Sequence, residues 1–173
     1  MNTRIPPVSA AAMAAAMLSA PLALAAGSAP THSDAFVKKA IQGNLAEIKE
    51  GRLAQRKGAT AGVRRFGAVL VRDHSEANQK AMAAASSMGV TPPAEPNSKQ
   101  TAVYDHLAAL SGRRFDESFV EAEVKDHRKD IAKYRKEAKA PNSPASTYAS
   151  TSLPVLHKHL RMAEALERHS PRG

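Results

Sequence analysis

The chain contains neither cysteine nor tryptophan. Lack of cysteine excludes a disulfide, a cysteine-held iron–sulfur cluster, a thiol nucleophile and the lipidated cysteine of a lipoprotein. Its stability must therefore come from apolar packing, for which 173 residues are enough to build one ordinary domain with a real core. Aromatic side chains are only 4% of the residues, which leaves little to stack on nucleic-acid bases. No stretch alternates apolar and polar residues with period two, so no strand is expected. Glycine-rich phosphate loops, a nucleophile elbow and a His-Glu-x-x-His pair are also missing. No recognised enzyme motif remains, and a non-enzymatic role is the expectation. Met82, Met88 and Met162 are too few and too scattered for a copper-binding motif and fit core packing.

The longest apolar run lies at the N-terminus. Met1-Asn2-Thr3-Arg4 carries one positive charge, Val8 to Ala26 is almost wholly apolar, and Ala23-Leu24-Ala25 is a small-x-small site. That order is the n-region, h-region and cleavage site of a secretory signal peptide. Ser19 and Pro21 interrupt this alanine-rich run, which argues against a retained membrane anchor. The expected organisation is a signal peptide over 1–25, a flexible leader over 26–33 and one helical domain over 34–169. The expected location is the periplasm or cell envelope.

The formal net charge is +9. Many of the positive residues, such as Lys125, Arg128, Lys129, Lys133 and Lys136, fall where a helix would face water, which makes a solvated face. Export and the shortage of aromatics argue against nucleic acid. A weak contact with an anionic envelope surface is the partner such a charge favours.

Helical periodicity organises the rest. Val37, Ile41, Leu45 and Ile48 follow the three-to-four spacing of an amphipathic helix. Ser33 or Asp34 can cap it, and Gly58 ends it. Thr60 can cap a second helix with inner residues Val63, Phe66, Leu70, His74, Ala77, Ala81, Ala84 and Met88. The link between these two helices is short, which makes them antiparallel neighbours. Ser98 to Leu110 reads as a short helix with Val103, Leu107 and Leu110 apolar, stopped at Ser111-Gly112. Asp116 is the expected N-cap of a third long helix, with Phe115 and Val120 as its hydrophobic staple. Its inner residues are Phe119, Glu123, His127, Ile131, Tyr134 and Ala138. The last helix, about Ala145 to Arg168, turns Ser152, Leu156, His159, Ala163 and Leu166 to one side and carries Pro154, an expected kink. The pattern predicts an all-α fold: a four-helix bundle of ferritin-like connectivity, with a long crossover containing a short helix between the second and third long helices.

Four polar residues stand at inner positions: His74, Glu123, His127 and His159. Glu123 and His127 are four apart, hence on one helix face, and Glu47 and Glu50 lie near the stripe of the first helix. Ligands converging from facing helices are how bundle cores hold metals. Imidazole suits Zn, Cu, Fe or Ni, with carboxylate as a harder partner. Asp73 can orient a neighbouring imidazole from behind. Two readings stand. In one, the histidines are neutral rings that fix the packing of a non-enzymatic envelope or stress-related protein. In the other, His74, His127 and His159, with Glu123 or Glu47, hold a single transition metal ion for storage, sequestration or redox chemistry. A three-histidine cluster can also respond to pH.

Several segments resemble a known family. Asp34-Ala35-Phe36-Val37 and Asn44-Leu45-Ala46-Glu47-Ile48 open the resemblance, and the segment from Phe66 through Arg72-Asp73-His74 to Asn78 continues it. Phe115-Asp116-Glu117-Ser118-Phe119-Val120 with His127 and the closing Leu153-Pro154-Val155-Leu156-His157-Lys158-His159-Leu160 complete it. In this order they are similar to the bacterial domain of unknown function 4142 family. The resemblance implies an exported, ferritin-like helical domain with no established activity, and it matches the family's motif histidines at His74, His127 and His159. A di-iron site needs Glu-x-x-His pairs. Val71, Val124 and Leu156 stand three residues before the three histidines, which disfavours that chemistry.

Overall fold

The computed structural model describes residue 1 and residues 31–169. The expected signal peptide, apart from Met1, and leader residues 26–30 lie outside the described residues. The described chain is all-helical: α1 (His32–Lys57), α2 (Ala61–Ser87), α3 (Ser98–Ala109), α4 (Gly112–Glu137) and α5 (Pro144–His169).

Several helix ends differ from the sequence expectation. Helix α1 begins at His32, because Thr31 accepts a hydrogen bond from the Asp34 amide while the Asp34 carboxylate accepts one from the Thr31 amide. This reciprocal capping box satisfies two otherwise orphaned donors. Thr60 caps α2 through the Val63 amide, as expected. Asp116 is not a cap of its own helix. Helix α4 starts a turn earlier, at Gly112, so that Phe115 and Asp116 are both buried within it. Phe115 stacks on Phe119, their centroids 5.8 Å apart. The Asp116 carboxylate instead accepts the Ala59 and Thr60 amides at 2.8 and 2.9 Å. It therefore ties the α1–α2 corner to the start of α4, satisfying donors that no residue within that corner reaches. Helix α5 runs unbroken past Pro154.

Helix α1 packs on α2, α2 on α5, α5 on α4 and α4 on α1, so the four long helices close a ring. Two apolar clusters give their directions. One joins Phe36, Val37, Ile41, Ala81, Ala85, Ile131, Tyr134 and Tyr148. The other joins Leu53, Val63, Phe66, Leu70, Phe115, Phe119 and Ala163. Helices α1 and α5 run from the first cluster to the second, and α2 and α4 run back. Since α2 and α4 are parallel, the chain between them must travel the length of the molecule, about 40 Å for a helix of this size. Helix α3 lies on that connection, packed on α1 and α4. Of its apolar residues Leu107 is buried, whereas Val103 is exposed. The Lys49–Glu95 ion pair, at 2.5 Å, also joins this connection to α1.

The α1–α2 contact is close enough to require glycine. A Cβ on Gly67 would lie 2.6 Å from the Gly51 carbonyl oxygen, and one on Gly51 would lie 2.8 Å from that of Gly67. Between the two apolar clusters, at mid-height, lies a layer of a different kind. The buried face of α1 does not continue from Ile41 to Leu45 and Ile48, which are half-buried, but through Asn44, Glu47 and Glu50. Those residues, with His74, Glu123, His127 and His159, split the hydrocarbon core in two.

Candidate metal centre

Each long helix contributes to this layer at the point where its apolar stripe is interrupted. His74 comes from α2, His127 from α4 and His159 from α5; all are buried, His159 completely. Each offers a ring nitrogen such that the three atoms lie within 4.8 Å of one another. Their ring centroids are 5.1 to 5.9 Å apart.

Hydrogen-bond partners set the tautomer of every ring. In a neutral imidazole one nitrogen carries the proton and the other a lone pair. His74 Nδ1 donates to Asn44 Oδ1 at 3.0 Å, while the Asn44 amide nitrogen donates to the Tyr148 hydroxyl. That leaves the lone pair of His74 on Nε2, which has no hydrogen-bond partner. His127 Nδ1 donates to the Glu123 backbone carbonyl at 3.0 Å, leaving its lone pair on Nε2. His159 Nε2 donates to Asp73 Oδ2 at 2.8 Å, leaving its lone pair on Nδ1. His127 Nε2 and His159 Nδ1 then face each other at 3.2 Å, both as acceptors. Two lone pairs at this distance repel unless a positive centre, a proton or a metal ion, lies between them. Two imidazole nitrogens bound to one tetrahedral ion at 2.0–2.1 Å are about 3.3 Å apart.

The electrostatics favour neutral rings. Burial, then the proximity of the other two histidines, pushes the His74 pKa well below its ordinary value. Burial followed by His159 pushes His127 down to about 3. Burial also lowers His159, although Asp73 opposes this. Burial works against ionisation of Asp73 itself, but hydrogen bonds from Lys158, Arg72 and His159 outweigh it and hold the carboxyl ionised well below the usual range. Asp73, on the helix of His74, thus orients His159 on the neighbouring α5.

The two carboxylates predicted beside the histidines occupy different places. Glu47 Oε2 is 4.0 Å from His74 Nε2, and neither atom has another partner. Glu123 Oε2 lies 3.4 Å from His127 Nδ1, against the ring edge that carries the proton rather than the lone pair. Both carboxyls are driven well above the ordinary carboxylate range, Glu47 by burial and then Glu123, and Glu123 by burial and then Glu50.

Sequence periodicity did not single out Asn44. It follows Ile41 by three and precedes Glu47 by three, and that polar run on a buried phase was the signal for it.

An all-helical domain with a buried layer of histidines and carboxylates is the class these observations define. The pattern of DUF4142, a domain of unknown function, matches residues 18–166. The chain belongs to the DUF4142 family. Among solved structures, the crystal structure of a DUF305 fragment from Deinococcus radiodurans is similar in fold, with a TM-score of 0.68. That likeness covers 80% of this chain and 98% of the other at 17% sequence identity, and it is a likeness of fold alone. No curated protein matches the chain.

Proposed function

We propose that this protein binds a single transition metal ion through His74 Nε2, His127 Nε2 and His159 Nδ1. One observation carries the reading: Asn44, the Glu123 carbonyl and Asp73 each take the proton of one ring, which leaves the lone pairs of all three facing one another. Partners that fix ring orientation from behind are the usual surroundings of a metal-binding histidine. Three neutral nitrogens suit Zn, Cu, Ni or Fe rather than calcium or magnesium. Glu47 is the residue placed to serve as a fourth ligand, and Glu123 supports His127 from its far edge. The biochemical role is storage, sequestration or redox use of that ion.

The wider setting belongs to the same proposal. Helix directions and the long connection carrying α3 support a ferritin-like four-helix bundle. The N-terminal apolar run supports export, with residues 1–25 removed, 26–33 as a leader and 34–169 as the working domain in the periplasm or envelope. The positive surface then favours weak, salt-sensitive contact with an anionic envelope surface.

Titration with Co2+ tests the metal reading. The expected result is saturation at one ion per chain with the visible absorption of a tetrahedral nitrogen-rich site, lost in His74→Ala and His159→Ala. If the folded protein takes up neither Co2+ nor Zn2+, a proton occupies the gap between His127 and His159. The histidines then serve packing in a non-enzymatic protein.

A further inference from the structure

We propose that Glu47 and Glu123 form a second cation site, beside the three histidines, for a hard, oxygen-seeking divalent cation such as Mn2+ or Mg2+. This goes beyond the histidine site, with which it shares only Glu47, and its donors are carboxylate oxygens. The two carboxyl groups approach from α1 and α4, each with an oxygen within 4.8 Å of the other and of a His127 nitrogen. Glu47 Oε2 and both oxygens of Glu123 are buried, and no group other than the facing carboxyl pairs with them, by a hydrogen bond that needs one of the two protonated. Native proteins pair such atoms, because a buried acceptor left alone loses its hydration with nothing in exchange. His127 keeps its Nδ1 proton on the Glu123 carbonyl, so it offers no lone pair here. The remaining donors are all oxygen, and oxygen donors select hard cations.

The site borders a cavity. A cavity of about 530 Å³ between α1, α3 and α4 has Glu47, Glu50, Glu123 and Asp126 in its lining. A partly hydrated ion such as Mg2+, which keeps several of its waters, fits in that volume. Glu50 and Asp126 add acidic groups to the wall, while Lys99, Lys125 and Lys129 also line the cavity. The lysines weaken long-range attraction, so retention depends on direct ligation by the two glutamates. Burial and the neighbouring carboxyls raise both acids well above the ordinary carboxylate range, so an incoming ion competes with protons for these oxygens.

Mn2+ is the probe, titrated into the full chain after EDTA treatment and read by loss of the free-ion EPR signal, with and without one equivalent of Zn2+. Wild type is expected to bind Mn2+ in both conditions. Glu123→Gln and Glu47→Gln keep the shape of the carboxyls, and circular dichroism checks their fold. Each should weaken Mn2+ binding by at least about tenfold, the least that loss even of an outer-shell partner costs a metal site. His159→Ala should leave Mn2+ binding in place. No uptake by wild type at millimolar Mn2+, unchanged binding in Glu123→Gln, or loss of binding in His159→Ala would each overturn the second site. A failed Co2+ titration at the histidines would leave this result standing, so the two readings fail separately.

Discussion

Replacing Asp73 by Asn tests whether the histidine tautomers are set from behind. Asp73 Oδ2 accepts from His159 Nε2 at 2.8 Å and from Lys158 at 2.5 Å, and Oδ1 accepts from Arg72 at 2.8 Å. The His159 side chain is fully buried, whereas Lys158 and Arg72 are 41% and 68% exposed. The exposed pairs contribute little because water screens them. The bond to buried His159 is charge-assisted, a class worth about 1.5–3 kcal/mol. Asparagine keeps an acceptor oxygen but loses the charge, so metal-free stability should fall by roughly 1 kcal/mol. Metal affinity should fall further. The carboxylate holds the proton on Nε2 and raises the basicity of Nδ1, and loss of such a partner weakens metal binding by roughly 10–100-fold. That corresponds to about 1.4–2.7 kcal/mol of binding energy. The same amount is lost from the stabilisation that saturating Zn2+ confers. Calorimetric Zn2+ titration measures the affinity, and urea unfolding with and without Zn2+ measures the stability. Arg72→Gln is the control and should leave both nearly unchanged. Equal Zn2+ affinity in Asp73→Asn and wild type would refute the tautomer argument, as would an equal loss in Arg72→Gln.

Two further predictions concern the scaffold and its acidic face. Gly67→Ala should destabilise the protein by about 1–3 kcal/mol in urea unfolding, because overpacking at a 2.6 Å contact outweighs the roughly 1 kcal/mol of helix propensity that alanine adds. A stabilised Gly67→Ala protein would mean that α1 and α2 can move apart freely. Burial, followed by repulsion from Asp126, raises Glu50 from its ordinary 4.5 to about 8. Folded protein therefore keeps a proton that the unfolded chain releases above pH 4.5, and stability falls as pH rises from 4.5 toward 8. Glu50→Gln should make that fall shallower in EDTA by removing the Glu50 share of it and gain a few kcal/mol at pH 8, since each such pH unit costs about 1.4 kcal/mol. Parallel pH profiles of the variant and wild type would count against it.

Much of this protein can be read from local pattern. Helical periodicity placed all five helices and put His74, His127 and His159 on inward faces, because a stripe at 3.6-residue spacing must be buried whatever it packs against. Thr60 as a cap also followed from a short-range interaction. The less local features did not. Asp116 has the sequence of an N-cap, yet its carboxylate holds the Ala59 and Thr60 amides, 57 and 56 residues away. The buried face of α1 turned from Leu45 and Ile48 to Asn44, Glu47 and Glu50, since the facing helices present polar groups at that height. The amino-acid sequence by itself determined the helices, the inward phase of the three histidines and the family motif. Only the tertiary structure decided which ring nitrogen carries each proton, that Asp73 serves His159 rather than its neighbour His74, and that Glu123 faces the far edge of His127. Those are matters of distance between helices, and periodicity along one helix carries no information about the height or rotation of the next.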